Sequence, residues 1–319
     1  MTANQVLTTI VLAALQLAVF AAFAPFLAAT IKRTKARLQS RRGPGLLQPY
    51  RDLAKWWRKK PVESSASGPV SRYAPAVVLA AIVAAALLVP FSAWRSPLLG
   101  WGDFFVVVGL LALARFALAL AALDSASAFG GMGSSRDVAI SALAEPGFAL
   151  ALAGTAIAAG SSDLSAIGAH GLAEGLGLLT PAHLLAAGAF ALILVAETGH
   201  HPIDNPDTHL ELTMVHEGML LEASGRSLAT LVFASEMKLV LMAALFCAAF
   251  LPFGAATELA PGPIAVGLAA GLVKLVVVAQ GLALLDATVA KKRILALPDL
   301  LGLASLLALT GLAMQVLMP

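Results

Sequence analysis

Long apolar runs alternate with short polar ones along this chain, and the runs have the length a bilayer demands. A hydrocarbon layer takes about 20 apolar residues per helix. That rule predicts eight spans, at about 6–31, 74–94, 104–124, 139–160, 180–197, 228–252, 263–286 and 298–318. Ala, Gly and Leu dominate all of them, and Gly and Ala dilute the signal most in the fourth and fifth. Such small residues let helices approach closely in lipid. The expected architecture is an all-α polytopic membrane protein whose single membrane domain covers residues 1–319.

Two polar stretches break the pattern, at 32–62 and 198–227. In the first, Gly43-Pro44-Gly45 forms a turn. Beyond it Leu46, Leu47, Tyr50, Leu53, Ala54 and Trp57 recur at helical spacing, while Arg51, Lys55, Arg58 and Lys59 fall elsewhere. This predicts an amphipathic helix lying on the membrane surface, apolar side inward, ended by Pro61. It can serve as an anchor on acidic lipid head groups, as the rim of a hydrophobic cavity, or as a floor on which a soluble partner docks. The same charges leave nothing that requires nucleic acid.

Composition supports the membrane reading: 59% of residues are hydrophobic and 12% charged, against about 25% charged in soluble domains. No basic residue precedes the first run, so a cleaved signal peptide is not expected. Eleven of the 21 Lys and Arg residues lie between Lys32 and Lys60, which puts that segment in the cytoplasm and the N-terminus outside. Eight alternating spans then make the loops holding Arg136, Arg226 and Lys291-Lys292-Arg293 cytoplasmic as well. The lone Cys247 cannot hold an iron–sulfur cluster, which normally takes four cysteines. No redox centre or other cofactor is therefore expected in this chain.

The second polar stretch concentrates the acid. Residues 197–226 hold six carboxylates, four histidines and one arginine beside the bilayer, where ionisable groups point to function. Asp204, Asp207 and Glu211 share one face if a helix starts at Pro206. His200, His201, His209 and His216 lack the compact spacing of a metal site, so none is expected. Ser, His and Asp occur together without a nucleophile elbow, and hydrolysis is not expected.

Further carboxylates lie in the spans at one depth: Asp124, Glu145, Glu197, Glu236 and Asp286, all in the cytoplasmic third by the expected topology. Arg115, Lys238 and Lys274 sit deeper and can balance them. Carboxylates brought together have spread and raised pKa values and can pass protons at neutral pH. The expected relay comprises those five carboxylates with Asp204, Asp207, Glu211, Glu222 and Lys274.

Here the residues become recognisable. Arg42-Gly43-Pro44, Leu47-Gln48-Pro49, Asp52 and Lys55, then Glu197-Thr198, Pro202, Asp204, Pro206, Glu211-Leu212, Glu222 and Ser224-Gly225, resemble the H-subunit family of respiratory complex I. Lys274 fits as well, as do Arg136 and Glu145 in the fourth-helix region. In that family this subunit joins the hydrophilic redox arm to the membrane arm, forms part of the quinone cavity and begins a proton path.

The details resemble the membrane-bound NiFe hydrogenase branch, including formate hydrogenlyase. Tyr50-Arg51-Asp52, the run from Asp204 to Met214, and Asp286 follow that branch, whereas His200 stands where Arg or Lys is common. The resemblance implies an anchoring and ion-coupling subunit of a multi-subunit oxidoreductase in a bacterial-type inner membrane. It implies a hydrogenase large subunit, an iron–sulfur small subunit and antiporter-like membrane subunits as partners, with the NiFe centre and clusters held by the first two. Docking would fall to Arg41, Arg42, Gln48, Arg51, Asp52, Lys55, Arg136, His200 and His209. Two other readings compete. One is the quinone-site subunit of a complex I-type NADH dehydrogenase. The other is a stand-alone secondary transporter, for which the two halves show no duplication.

Overall fold

The computed structural model describes residues 3–62, 64, 66–98, 100–205 and 214–317. Asp207, His209 and Glu211, and the helix expected from Pro206, lie outside the described residues. Eleven α-helices are described: α1 Ala3–Leu38, α2 Gln48–Trp57, α3 Pro69–Leu88, α4 Phe104–Asp124, α5 Ala128–Ala159, α6 Leu164–Glu174, α7 Pro181–Glu197, α8 His216–Leu220, α9 Gly225–Phe250, α10 Pro261–Thr288 and α11 Leu297–Leu317. Seven of them, α1, α3, α4, α5, α9, α10 and α11, are long and apolar enough to cross a membrane. The bent pair Leu164–Leu178 with Pro181–Glu197 brings the number to eight if it is one span, and the 17 residues of α7 reach about 25 Å. The protein is a multi-pass, all-α membrane protein.

Two helices outrun the apolar segments that mark them. α1 continues through Lys32–Leu38, where helix-forming cations complement the C-terminal end of the helix dipole. α5 starts at Ala128 rather than near residue 139. Its first turns are rich in Gly and Ser because they pack tightly. A Cβ on Gly133 would lie 2.8 Å from the Val215 carbonyl oxygen, and the Ser134 hydroxyl donates to Ala119 O at 3.3 Å. The segment between the fourth and fifth spans is not a plain loop. It holds α6 and a short 3-10 turn, Gly175–Leu178, and bends by 118° into α7.

α9 is the hub. Leu239 through Leu245 are all buried, and the helix packs against α1, α2, α3, α6, α7 and α10. A second group, α5, α7 and α11, packs beside it. Contacts between loops establish the up–down order. At one end the start of α3 meets the end of α4, and the end of α7 meets the end of α10. At the other, isolated bridges join Ala93 to Ala256 and Asp103 to Asp163.

The basic segment is tied to the first of these ends. The Tyr50 hydroxyl donates to Ala22 O on α1. Burial is the main cause that raises the Tyr50 phenol above its ordinary pKa, and the Glu236 carboxylate adds to it. Ser224 accepts from Val62 N at 2.7 Å and donates back to Val62 O at 3.0 Å. Gly225 follows with φ +53°, and a Cβ there would lie 2.6 Å from Lys60 O, so a side chain is excluded twice over. The Ser224-Gly225 pair is thus a clasp between the basic segment and α9. No residue of α2 is buried: Leu47 and Trp57, expected inward, are exposed. A ten-residue helix that packs against α1 and α9 on one side leaves its outer apolar edge open.

Candidate functional site

A cavity of about 220 Å³ opens among the helices at the α2 end. Ile31, Val78, Ile82, Leu118, Leu231 and Leu239 are among its apolar lining. Charged side chains line it too, among them Arg115 on α4. One guanidinium nitrogen donates to Glu145 of α5, and another to both carboxylate oxygens of Glu197 at the end of α7. Lys238 of α9 reaches the second Glu197 oxygen at 2.8 Å. Two formal cations and two carboxylates from four helices thus form a neutral cluster. The Glu197 side chain is only 3% exposed and Arg115 9%. Charges so deep persist because they are paired and hydrogen-bonded. A proton added to or taken from any member unbalances the rest.

The loop after α7 forms the cavity rim and is fastened to α10 and the loop that follows it. Asp286 accepts from His200 Nδ1 at 2.8 Å and from the His201 backbone N–H at 3.0 Å. The Asp204 carboxylate accepts from Lys291 at 2.7 Å and from His216 N at 3.2 Å, and Lys292 N donates to Pro202 O at 2.9 Å. Buried side-chain atoms with no partner among the described residues include Glu236 Oε2 and His216 Nε2, both from cavity-lining residues. Such atoms suit a water-filled or ligand-holding space, because an unsatisfied buried polar group is costly.

Of the expected relay, the structure brings Glu197, Asp204, Glu236 and Asp286 to the cavity wall, with Glu145 joined through Arg115. Three members stand apart. Asp124 accepts from Ser71 N at 2.8 Å in the first turn of α3, and Glu222 is exposed. Lys274 belongs to the far end, donating to Leu251 O at 2.6 Å beside Cys247. Among the docking residues, Arg41, Arg42, Gln48, Arg51 and Lys55 are exposed, and Gln48 bonds Asp52 at 3.0 Å. Arg136 donates to Met214 O at 2.9 Å. His200 is buried and faces the cavity instead of a surface. Sequence reasoning missed Lys35, Asp137 and Glu217, which also line the cavity. Lys35 lies one turn past Ile31 on α1, a relation visible only once that helix is carried beyond the apolar run. Among the described residues no group of three or more His, Cys, Asp or Glu could hold a metal ion.

Residues 10–318 match the family described as NADH dehydrogenase. The chain belongs to that family. It is 35% identical to Hydrogenase-4 component C of Escherichia coli (strain K12) over 90% of this chain and 89% of the relative. Formate hydrogenlyase subunit 4 of the same strain is 34% identical over 88% and 90%. The family fold recurs in a chain from the membrane-bound sulfane sulfur reductase, an archaeal respiratory membrane complex. The TM-score there is 0.85 over 96% of this chain and 99% of the other, at 22% identity.

Proposed function

We infer that this chain is the membrane-anchoring and ion-coupling subunit of a membrane-bound NiFe hydrogenase complex. It holds the hydrophilic redox arm on the cytoplasmic side of a bacterial-type inner membrane and passes protons through buried carboxylates. The observation that carries the reading is the Arg115–Glu145–Glu197–Lys238 cluster on the cavity wall. A redox partner at the cavity mouth that changes charge shifts the proton occupancy of such a cluster, and that shift can drive an ion beyond it. The similarity to Hydrogenase-4 component C and Formate hydrogenlyase subunit 4 supports the hydrogenase branch. In this reading the NiFe centre sits in the large subunit and the iron–sulfur clusters in the small one. Antiporter-like membrane subunits carry the ion onward, and this chain transfers no electrons.

The anchor is the exposed cationic face of α2. Reversing Arg51, Lys55 and Arg58 to Glu together should release the soluble arm, read as loss of its co-purification. An arm that stays bound with full activity would make α2 a lipid anchor only. Glu145→Gln tests the second half of the reading. The arm should remain bound while turnover-driven ion uptake into inverted vesicles falls about tenfold or more, the scale of a lost proton-transfer group. Unchanged uptake counts against the relay.

The apolar part of the cavity lining favours one second reading, a quinone-site subunit. Stoichiometric quinone in lipid extracts of the purified complex would support it.

A further inference from the structure

His200 is a buried histidine on the cavity wall whose two ring nitrogens have different surroundings. Nδ1 is 2.8 Å from Asp286 Oδ2, and the other Asp286 oxygen is occupied by the His201 backbone N–H at 3.0 Å. An ionised carboxylate only accepts, so Nδ1 carries the proton of this bond and Nε2 is left as the basic nitrogen. Among the described residues Nε2 has no hydrogen-bond partner, while the ring lines the cavity. The backbone at His200 is held as well: Ile203 N and Asp204 N both donate to the His200 carbonyl, at 3.0 and 3.2 Å, closing a tight turn. The fold therefore fixes one tautomer and one orientation, and presents an imidazole lone pair to the space it faces.

We propose that His200, oriented by Asp286, is a proton-transfer residue of the cavity. Nε2 takes a proton from the cavity contents, giving an imidazolium whose charge Asp286 offsets across the Nδ1 bond. The same proton then leaves from Nε2 to the Glu236 carboxylate, which lines the same cavity, through water. One proton enters and one leaves, and no electron moves. The other titratable groups around this space are Lys32 and Lys35 of α1, Arg115 of α4, Asp137 of α5, Glu197 of α7, Asp204 of the loop, His216 and Glu217 of α8, and Lys238 of α9. His216 Nε2 and Glu236 Oε2, buried without partners among the described residues, give the water of such a path two sites to bond. Asp286 is a positioning residue in this scheme, because it acts only through His200.

The inference rests on the relay reading, and its test separates the two. The complex carrying His200→Ala is prepared as inverted vesicles, and uptake driven by its turnover is followed with a pH-sensitive dye. Uptake should fall about tenfold or more with the arm still bound. Added imidazole should restore it, and across a series of substituted imidazoles the rescue should scale with their pKa. A purely structural role gives no such scaling. His200→Asn keeps a donor to Asp286 but cannot bind a proton, so it should be as impaired as His200→Ala. Normal uptake in either variant, or rescue that is absent or independent of imidazole pKa, overturns the proposal. Glu197→Gln run in parallel identifies what has failed. If it loses uptake while the His200 variants keep theirs, His200 alone is excluded. If it too retains uptake, the relay itself falls.

Discussion

Arg115→Met should destabilise the folded chain by about 3–5 kcal/mol, the usual cost of removing one partner from a buried ion pair. Arg115 is the only residue that touches both Glu145 and Glu197 among the described ion pairs. Its loss leaves Glu197, with 3% of its side chain exposed, to Lys238 alone. Methionine fills much of the volume, so the effect isolates charge from packing. The fraction that stays monodisperse in detergent after graded heating should drop sharply. Adding Glu197→Gln should recover part of the loss, since the unbalanced carboxylate is then gone. Wild-type heat resistance in the single variant would show that the cluster does not hold these helices together.

Asp286→Ala should free the rim of the cavity without unfolding the bundle. The carboxylate satisfies two donors from the loop, His200 Nδ1 and His201 N, and is itself buried. Each buried donor left unmade costs about 1–3 kcal/mol, so the loop should detach locally rather than remain strained. Amide hydrogen exchange over residues 199–205 should speed up at least tenfold, while the core of α9 stays protected. The Lys291–Asp204 bridge at 2.7 Å and the Lys292–Pro202 bond remain as tethers, so the movement should be confined. Asp286→Asn retains an acceptor and should show a smaller change. Equal exchange in the wild type and the Ala variant would contradict the picture of Asp286 as the fastening point.

The membrane fold was legible in the sequence because a bilayer imposes a length that hydropathy measures directly. What hydropathy does not measure is where a helix stops. Lys32–Leu38 and Ala128–Val138 are helical because cations suit a helix end and because Gly133 admits close packing, neither of which adds apolar length. The α6 turn was hidden for a related reason: its 11 residues are too few to span and carry too much Gly and Ser to read as a strong run.

For the site, depth was readable and direction was not. Asp124, Glu197 and Asp286 all end helices on the same side, yet Asp124 turns to the first turn of α3 while the other two face the cavity. Lys274 lies mid-helix but bonds Leu251 at the far end. Which way a side chain points depends on how each helix is rotated, and packing against neighbours sets that rotation. The part of the pattern that did carry through was chemical. A glutamate at the end of α7 needs cations from other helices, and Arg115 and Lys238 were the deep cations available.

The most direct measurement is the number of ions taken up per hydrogen molecule formed, in proteoliposomes holding the whole complex with Glu197→Gln. Glutamine keeps the shape and one acceptor for Arg115 and Lys238 but has no carboxylate to take up a proton. The account predicts a complex with its soluble arm attached, still forming hydrogen, in which the ratio of ions to hydrogen falls about tenfold or more. A ratio equal to that of the wild type would contradict it.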